Sequence, residues 1–413
     1  MIRNFTSKLL ALLLSIAFFT ACNNDDNTPG NFSEDNHYLT GIITERQISK
    51  AEIVAQIMEY AGGLNIDLPE TVLSSLLCDV EVAAITYNTT GVDGTPVTAS
   101  GVIAMPRGTT SYDHLLSIQH GTLDMEEAPS IQLFYYEMMP VVSGHVVVMA
   151  DYLGYGSSQT PDRQHPYLHA RLTGSTCADM IEAAREYLRE KSITEENEAI
   201  ELIGYSQGGQ ATIATLLELE NRGKADEIRA VHAGGGAYDL ESILQSFLEN
   251  ETPTSYSRSG YLPYLIRGMI YGERLSVQDE NLYASELIDR GVNQIFSTLP
   301  LSQWHSALGS DITQILHPDF FAAPSFNGNA DVLAVIAALQ KNSLVNATAK
   351  PQTTIQLYHS PKDELVPYSN AISAHQVWPS STLTDLTIPS HVFGGVEFML
   401  RYMNLWQIIS PFL

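Results

Sequence analysis

The sequence predicts an α/β fold, in which a buried and mostly parallel sheet follows an antiparallel hairpin and carries an inserted helical cap. Short, almost continuously apolar runs alternate with helical patterns along much of the chain, which is typical of parallel strands covered on both faces. Two alternating runs in the first quarter of the chain predict the hairpin. The interval 241–350, between two of the later strands, is far too long for a connecting loop and predicts the cap.

The first 21 residues have the pattern of a bacterial lipoprotein signal peptide. Arg3 and Lys8 supply a short positive region, and the apolar stretch 9–19 is too short to span a bilayer. Residues 19–22, Phe-Thr-Ala-Cys, match a loose lipoprotein cleavage box and predict that Cys22 is lipidated. The alternative is an ordinary signal peptide, in which Cys22 is incidental.

A polar and acidic segment comes next and is predicted to be a disordered tether over 22–40, so that the folded domain occupies 41–413. The acidic run directly after Cys22 resembles the surface-export signal of Bacteroidetes lipoproteins. This resemblance implies a lipid-anchored protein of the bacterial cell envelope, at the outer membrane or the cell surface. The anchor at Cys22 is then the protein's only predicted attachment to a membrane.

Helices and strands alternate through the rest of the chain. A helix is predicted over 49–60, where apolar residues recur on one face, and the hairpin over 80–87 and 97–104. The parallel strands of the sheet are predicted at 115–118, 145–150, 200–203, 230–233, 354–358 and 383–388. Helical patterns lie between strands at 130–142 and 178–190.

The predicted cap contains a helical run at 331–340 and an apolar, aromatic stretch at 261–271. Tyr264, Ile266 and Met269 of this stretch are predicted to line an apolar substrate pocket. The alternative is that these side chains form the cap's own core, as most large apolar side chains do.

Composition restricts the classes of partner and cofactor. The chain has 47 acidic and 21 basic residues and a net charge of −26, so that it repels nucleic acid and anionic membrane surfaces. Apart from Cys22, the cysteines are Cys78 and Cys177, which either pair in an oxidising compartment or remain free thiols. No Cys/His spacing is typical of a zinc site, and neither a metal nor a cofactor is predicted.

A nucleophile motif lies in the middle of the chain. Residues 204–208, Gly-Tyr-Ser-Gln-Gly, follow the apolar run 199–203 and precede a helical pattern at 210–222. A strand, a sharp turn and a helix are the context of a nucleophile elbow, in which the turn exposes the serine hydroxyl above the sheet. Small neighbours are needed there because the strand and helix backbones come close together. The pattern predicts acyl transfer through Ser206.

A serine nucleophile requires a base, and the base requires an acid that orients it. In folds with this elbow the three groups occur in the order Ser, Asp or Glu, His, after successive strands. Asp363 follows the strand 354–358 and is predicted to be the acid, with Glu364 as the alternative. His391 follows the last strand and is predicted to be the base. His359 precedes the acid and breaks the order, and His375 lies inside a helical run.

The developing negative charge in acyl transfer is stabilised by two backbone N–H groups. One is predicted to belong to Gln207, directly after the nucleophile. The second is predicted in the loop after the strand 115–118, where Gly121 lets a substrate approach the backbone. Thr122 is the preferred donor, with Asp124 as the alternative.

Residues 149–156 (MADYLGYG) and 165–168 (HPYL) resemble the signature region of the secretory lipases of fungi and bacteria. Those proteins also share an elbow like 204–209, an Asp loop like 363–367 and an inserted helical cap, so the resemblance extends from about residue 80 to the end. It implies an α/β-hydrolase fold and cleavage of carboxylic esters, with Ser206, Asp363 and His391 as the triad. The cysteine-rich pattern of many fungal members is absent, which leaves the substrate preference open.

The sequence therefore favours a serine hydrolase that cleaves small-molecule or lipid esters through an acyl-enzyme on Ser206. A serine peptidase or aminopeptidase on the same fold is the second hypothesis, since these enzymes use the same triad. A surface binding protein without catalytic activity is the third, and the intact order of the triad argues against it.

Overall fold

The computed structural model describes residues 37–63, 70–248, 259–322 and 326–410. The predicted signal peptide, Cys22 and the tether up to residue 36 lie outside the described residues. Leu39 and Thr40, at the end of the range predicted as tether, are the first residues of a strand.

The core of the domain is one nine-stranded sheet. Its strands, numbered here in chain order, are β1 Leu39–Ile48, β2 Val80–Thr90, β3 Pro96–Pro106, β4 Leu115–Gln119, β5 Val146–Ala150, β6 Ile200–Tyr205, β7 Ile228–Gly234, β8 Ile355–His359 and β9 Ser381–Asp385. Their order across the sheet is β1-β2-β3-β5-β4-β6-β7-β8-β9.

Strands β1 to β3 pair antiparallel, and β3 joins the rest of the sheet through an antiparallel pairing with β5. From β5 to β9 every neighbouring pair is parallel. All residues of β4, β5 and β6 are buried, as expected for parallel strands with helices on both faces. The predicted α/β class, the mostly parallel sheet and the opening hairpin are confirmed.

Helices cover both faces of the sheet and also form the cap. They are α1 Lys50–Gly63, α2 Glu70–Leu76, α3 Pro129–Gln132, α4 Ala170–Glu190, α5 Gln207–Asn221, α6 Leu240–Leu248, α7 Tyr261–Gly272, α8 Ser285–Arg290, α9 Val292–Thr298, α10 Leu301–Leu308, α11 Ala330–Asn342, α12 Tyr368–Val377, α13 His391–Tyr402 and α14 Trp406–Ile409. Among the described residues, none of these helices has the length and apolarity needed to cross a membrane.

The sheet separates two apolar cores because side chains alternate along each strand. Ala83 and Ile85 of β2 belong to the core on the side of α4 and α5, whereas Val82 and Ala84 belong to the core on the other side. A third core lies inside the cap, which runs from α6 to α11 between β7 and β8. The described residues between β7 and β8 form mainly helices, in the interval for which the cap is predicted over 241–350.

Two sequence predictions differ from the structure. The helix predicted over 130–142 is broken, because Leu133 adopts a left-handed conformation with φ 68° after α3 and Pro140 lacks an N–H group. A 3₁₀ segment, Tyr136–Ser143, replaces its second half. The last strand, predicted at 383–388, is instead Ser381–Asp385, so that a loop of five residues connects it to His391.

Cys78 and Cys177 are both free thiols, which decides between the two alternatives left open by the sequence. Cys177 is buried in α4, and burial raises the pKa of its thiol to about 12. A thiol with so high a pKa is protonated at neutral pH and has little nucleophilic reactivity.

Candidate active site

Ser206 lies at the sharp turn between β6 and α5, in the conformation that a nucleophile elbow requires. Its backbone angles are φ 61° and ψ −124°, a region that non-glycine residues rarely adopt. Two glycines allow the turn: a Cβ on Gly204 would lie 2.3 Å from the carbonyl oxygen of Gly208, and one on Gly208 would lie 1.9 Å from that of Gln119. The turn therefore requires glycine at both positions.

The structure brings the three predicted catalytic side chains together. His391 Nε2 lies 2.7 Å from Ser206 Oγ, and His391 Nδ1 lies 2.7 Å from Asp363 Oδ2. His391 is the first residue of α13, and the side chain of Asp363 is inaccessible to solvent. An ionised carboxylate can only accept a hydrogen bond, so Nδ1 of His391 must carry the proton that it donates to Asp363. Nε2 is then unprotonated and can accept the proton of the serine hydroxyl.

The carboxyl group of Asp363 is held in its charged form. Burial alone raises its pKa, but hydrogen bonds from His359 and His391 outweigh burial and lower the pKa below its usual range. The N–H groups of Leu365 and Val366 also donate to Asp363 Oδ1, at 2.8 and 2.9 Å. Asp363 is therefore an ionised acceptor at neutral pH.

The alternatives considered for the acid and the base have other contacts. Glu364 is exposed and accepts the backbone N–H of His391 at 2.8 Å, so that it caps α13 rather than orienting the imidazole. His359 Nε2 donates to the carbonyl of Val366 at 2.9 Å and lies 3.4 Å from Asp363 Oδ2. His375 contacts Ser381 Oγ, at the first residue of β9.

The loop after β4 passes directly beside the nucleophile. A Cβ on Gly121 would lie 4.0 Å from Ser206 Cβ, which places Gly121 and Thr122 next to the Ser206 side chain. Gln207 begins α5, so that its N–H has no acceptor within the helix. Asp124, the alternative donor, has its carboxylate bonded to the N–H of Leu301 in the cap.

The signature residues 149–156 and 165–168 support this loop and the elbow. The Tyr152 hydroxyl donates to the carbonyl of His120 at 3.0 Å, and the two rings stack with centroids 4.0 Å apart. His165 Nδ1 donates to Leu153 O at 2.6 Å, so that its Nε2 accepts the side-chain amide of Gln207 at 2.8 Å. Burial lowers the pKa of His165 to about 3, which keeps it neutral and able to accept.

The sequence analysis did not find Glu137, whose carboxylate accepts the backbone N–H of Gly121. Glu137 lies in the 3₁₀ segment after α3, is buried, and has one carboxylate oxygen without a hydrogen-bond partner. Burial raises its pKa to about 7. A charged residue inside the apolar pattern 130–142 is the signal that could have identified it.

An apolar cavity of about 50 Å³ opens at Ser206 and His391. The other described residues that line it come from the cap and from the loops around the elbow: Tyr167, Leu168, Gln207, Ala237, Ile243, Phe247, Tyr261, Leu262, Leu265, Leu365 and Val366. Most of these side chains are apolar. The cavity is therefore suited to an uncharged group next to the serine.

The prediction that Tyr264, Ile266 and Met269 line this cavity is not supported, although it identified the correct helix. Ile266 and Met269 lie one turn beyond Leu262 and Leu265 in α7, inside the cap core. Tyr264 points to another side of α7 and packs on Trp304, with ring centroids 4.5 Å apart. Apart from Arg267, the side chains of α7 are apolar or aromatic all round the helix, so its pattern does not show which residues reach the cavity.

Comparisons with solved structures agree with this architecture. The rice cell wall degrading esterase LipA from Xanthomonas oryzae matches with 24% identity and a TM-score of 0.69, covering 90% of this chain and 98% of that one. A Legionella pneumophila protein assigned to the hydrolases matches with 21% identity and a TM-score of 0.71, covering 89% and 99%. Candida antarctica lipase A in its closed state matches with 14% identity and a TM-score of 0.57, covering 90% and 85%.

These similarities show the fold. A search of curated protein sequences finds no match. The family model described as secretory lipase matches residues 127–399, which include the elbow, the cap, the Asp363 loop and His391. Because this match extends over more than half of the chain, the protein belongs to the secretory lipase family.

Proposed function

We propose that the protein is a carboxylic ester hydrolase that works through an acyl-enzyme on Ser206. The observation that carries the proposal is the unbroken chain of hydrogen bonds from Ser206 through His391 to the buried carboxylate of Asp363. Family membership and the esterase neighbours support hydrolysis of esters in general.

In the first half of the reaction, His391 Nε2 takes the proton of Ser206 as its oxygen attacks the ester carbonyl. Asp363 holds Nδ1–H and stabilises the imidazolium that forms. The backbone N–H groups of Gln207 and Thr122 bind the oxyanion. The proton then passes from His391 to the alcohol, which leaves. In the second half, His391 activates a water molecule that attacks the acyl-enzyme and releases the carboxylic acid.

The shape of the cavity supports a short, uncharged acyl group as the preferred substrate part. The cavity at Ser206 measures about 50 Å³, and Leu262 and Leu265 of α7 line it. We expect the wild-type enzyme to hydrolyse p-nitrophenyl acetate and butyrate, with kcat/KM falling for longer chains. Aminoacyl p-nitroanilides serve as the comparison, because cleavage of these amides would instead support the peptidase hypothesis. Absence of turnover with all of these esters would contradict the proposal.

Two residues of α7 are expected to determine acyl-chain length. Replacing Leu262 and Leu265 by alanine enlarges the cavity, and each methylene that gains a buried place contributes about 0.8 kcal/mol, or about fourfold in kcat/KM. The ratio of kcat/KM for the hexanoyl and acetyl esters should therefore rise about tenfold or more. This ratio is independent of the fraction of enzyme that is folded.

The matched control is the Ile266→Ala/Met269→Ala variant, whose side chains are equally buried in the same helix but do not line the cavity. It is expected to lose stability, since such truncations cost about 2–5 kcal/mol each, without changing the ratio. An equal shift of the ratio in both variants would show that the cavity at Ser206 does not select the acyl chain.

We further propose that the protein is exported and anchored through lipid on Cys22. The cleavage box before Cys22 and the acidic segment after it support this proposal, and the secretory character of the family agrees with export. Cys22→Ala is expected to move the protein from the detergent phase to the aqueous phase in Triton X-114 partitioning. Unchanged partitioning of the variant would contradict the lipid anchor.

A further inference from the structure

A second cavity, of about 440 Å³, lies between α7, α9 and the segment around residue 164. It shares no lining residue with the cavity at Ser206. The buried side chains of His165 and Tyr264 line it, while their neighbours Gln207 and Tyr167 line the cavity at the nucleophile. The two cavities are therefore separate spaces, and these four side chains lie between them.

The charge of this second cavity differs from that of the whole chain. Among the described residues, its lining includes Arg163, Arg267 and Arg274 and one carboxylate, Asp279, and Asp93 lies close enough to Arg274 for their charges to interact. In the complete sequence acidic residues outnumber basic ones, 47 to 21. Three guanidinium groups around one concave cavity offer several N–H donors to an anionic ligand.

The three arginines are only partly neutralised by the described residues. Arg163 donates from both of its Nη atoms to Glu126, and its Nε is buried without a hydrogen-bond partner. Neither Arg267 nor Arg274 forms a salt bridge with a carboxylate of the described residues. Asp279 accepts a hydrogen bond from Asn293, so that part of its hydrogen-bonding capacity is already used.

Charge and shape together indicate the class of ligand. The carboxylates of Glu126, Asp93 and Asp279 offset the three arginines, so the ligand class follows from the two guanidinium groups that no salt bridge within the described residues holds, those of Arg267 and Arg274. The guanidinium of Arg267 lies 5.7 Å from the centre of the Phe296 ring, and Ile270 and Tyr271 add further apolar surface. Guanidinium groups pair with planar carboxylates through two parallel hydrogen bonds, and aromatic rings pack against the apolar remainder of such a ligand.

We propose that this cavity binds a small organic carboxylate with an apolar body. Arg267 and Arg274 hold the carboxylate, and Phe296 and Ile270 contact the body. Binding at this place requires no turnover and no contact with Ser206. The proposal therefore does not depend on the proposed ester hydrolysis, and each can fail without the other.

The test is isothermal titration calorimetry of the full chain with benzoate, and with benzamide as the uncharged analogue of the same shape. Benzoate is expected to bind and benzamide to bind at least tenfold more weakly, since charge-assisted hydrogen bonds contribute most of the affinity. The Arg267→Gln/Arg274→Gln variant should weaken benzoate binding about tenfold or more. The far-UV circular dichroism spectrum and the thermal midpoint report whether this variant is folded.

The matched control is Arg290→Gln, which removes an exposed arginine of the cap whose guanidinium donates to backbone carbonyls outside the cavity. It should bind benzoate as the wild type does. Equal binding of benzoate and benzamide, or unchanged benzoate binding by the folded Arg267→Gln/Arg274→Gln variant, would overturn the proposal. Tighter binding of inorganic phosphate than of benzoate would overturn the assignment to carboxylates.

Discussion

Replacing Ser206 by alanine is expected to lower kcat for p-nitrophenyl butyrate by about 10⁴-fold or more, because the loss of one triad member removes the covalent pathway altogether. The residual rate comes from the oxyanion donors and the cavity, which the substitution leaves in place. The measurement is steady-state hydrolysis, supported by mass spectrometry of the protein after treatment with an alkyl phosphonate. The wild type should gain one phosphonyl group on Ser206, and the variant should gain none.

The fold should tolerate this change, because alanine at position 206 replaces only the hydroxyl at an unusual backbone conformation that already carries a Cβ. Ser306→Ala, at an exposed position of α10, serves as the control and should retain wild-type activity. Near-normal turnover by folded Ser206→Ala would exclude the serine mechanism. Labelling of a different residue would redirect the search for the nucleophile.

Asp363→Asn and His391→Ala are each expected to lower kcat by about 10⁴-fold, without adding to the effect of Ser206→Ala in a double variant. The amide at position 363 would present an N–H group to His391 Nδ1, now 2.7 Å from the carboxylate, and would favour the tautomer that cannot accept the serine proton. The three side chains act as one unit, and the measurement is a double-mutant cycle in kcat.

Glu364→Gln is the control for the acid, since an amide oxygen at position 364 can still accept the backbone N–H of His391. Its kcat should stay within a few-fold of the wild type, because this bond is retained and does not involve the imidazole ring. If Glu364→Gln inactivated the enzyme and Asp363→Asn did not, the assignment of the acid would be wrong.

The parts of the site that depend on local backbone geometry could be predicted from the sequence. The sharp turn at Ser206 requires small residues on both sides of the serine, and this requirement is visible in the sequence 204–208. Asp363 and His391 each follow a strand that the apolar pattern indicates. Parallel strands bring their carboxyl ends to one edge of the sheet, so that the order in the chain was enough to bring these residues together. The structure places them in hydrogen-bond contact.

The parts that depend on contacts between distant segments could not be predicted in the same way. Strand β1 has mostly exposed side chains, Ile42 and Ile43 among them, and its backbone pairs with β2. The bond of Glu137 to the Gly121 N–H joins two loops whose proximity is a property of the whole sheet. In α7, apolar side chains occur on most sides of the helix. The packing of the cap therefore decides that Leu262 and Leu265 are the ones that reach the cavity.

The backbone angles at Ser206 imply a conflict between folding and chemistry at one position. A non-glycine residue held in such a region costs about 1–3 kcal/mol, a sizeable share of the roughly 5–15 kcal/mol that stabilises a typical domain. The conformation that exposes the Ser206 hydroxyl therefore lowers the stability of the fold against heat and denaturants. Any programme to make the enzyme more thermostable therefore has to leave this strain alone and draw its gains from the rest of the chain, such as the exposed surface of β1.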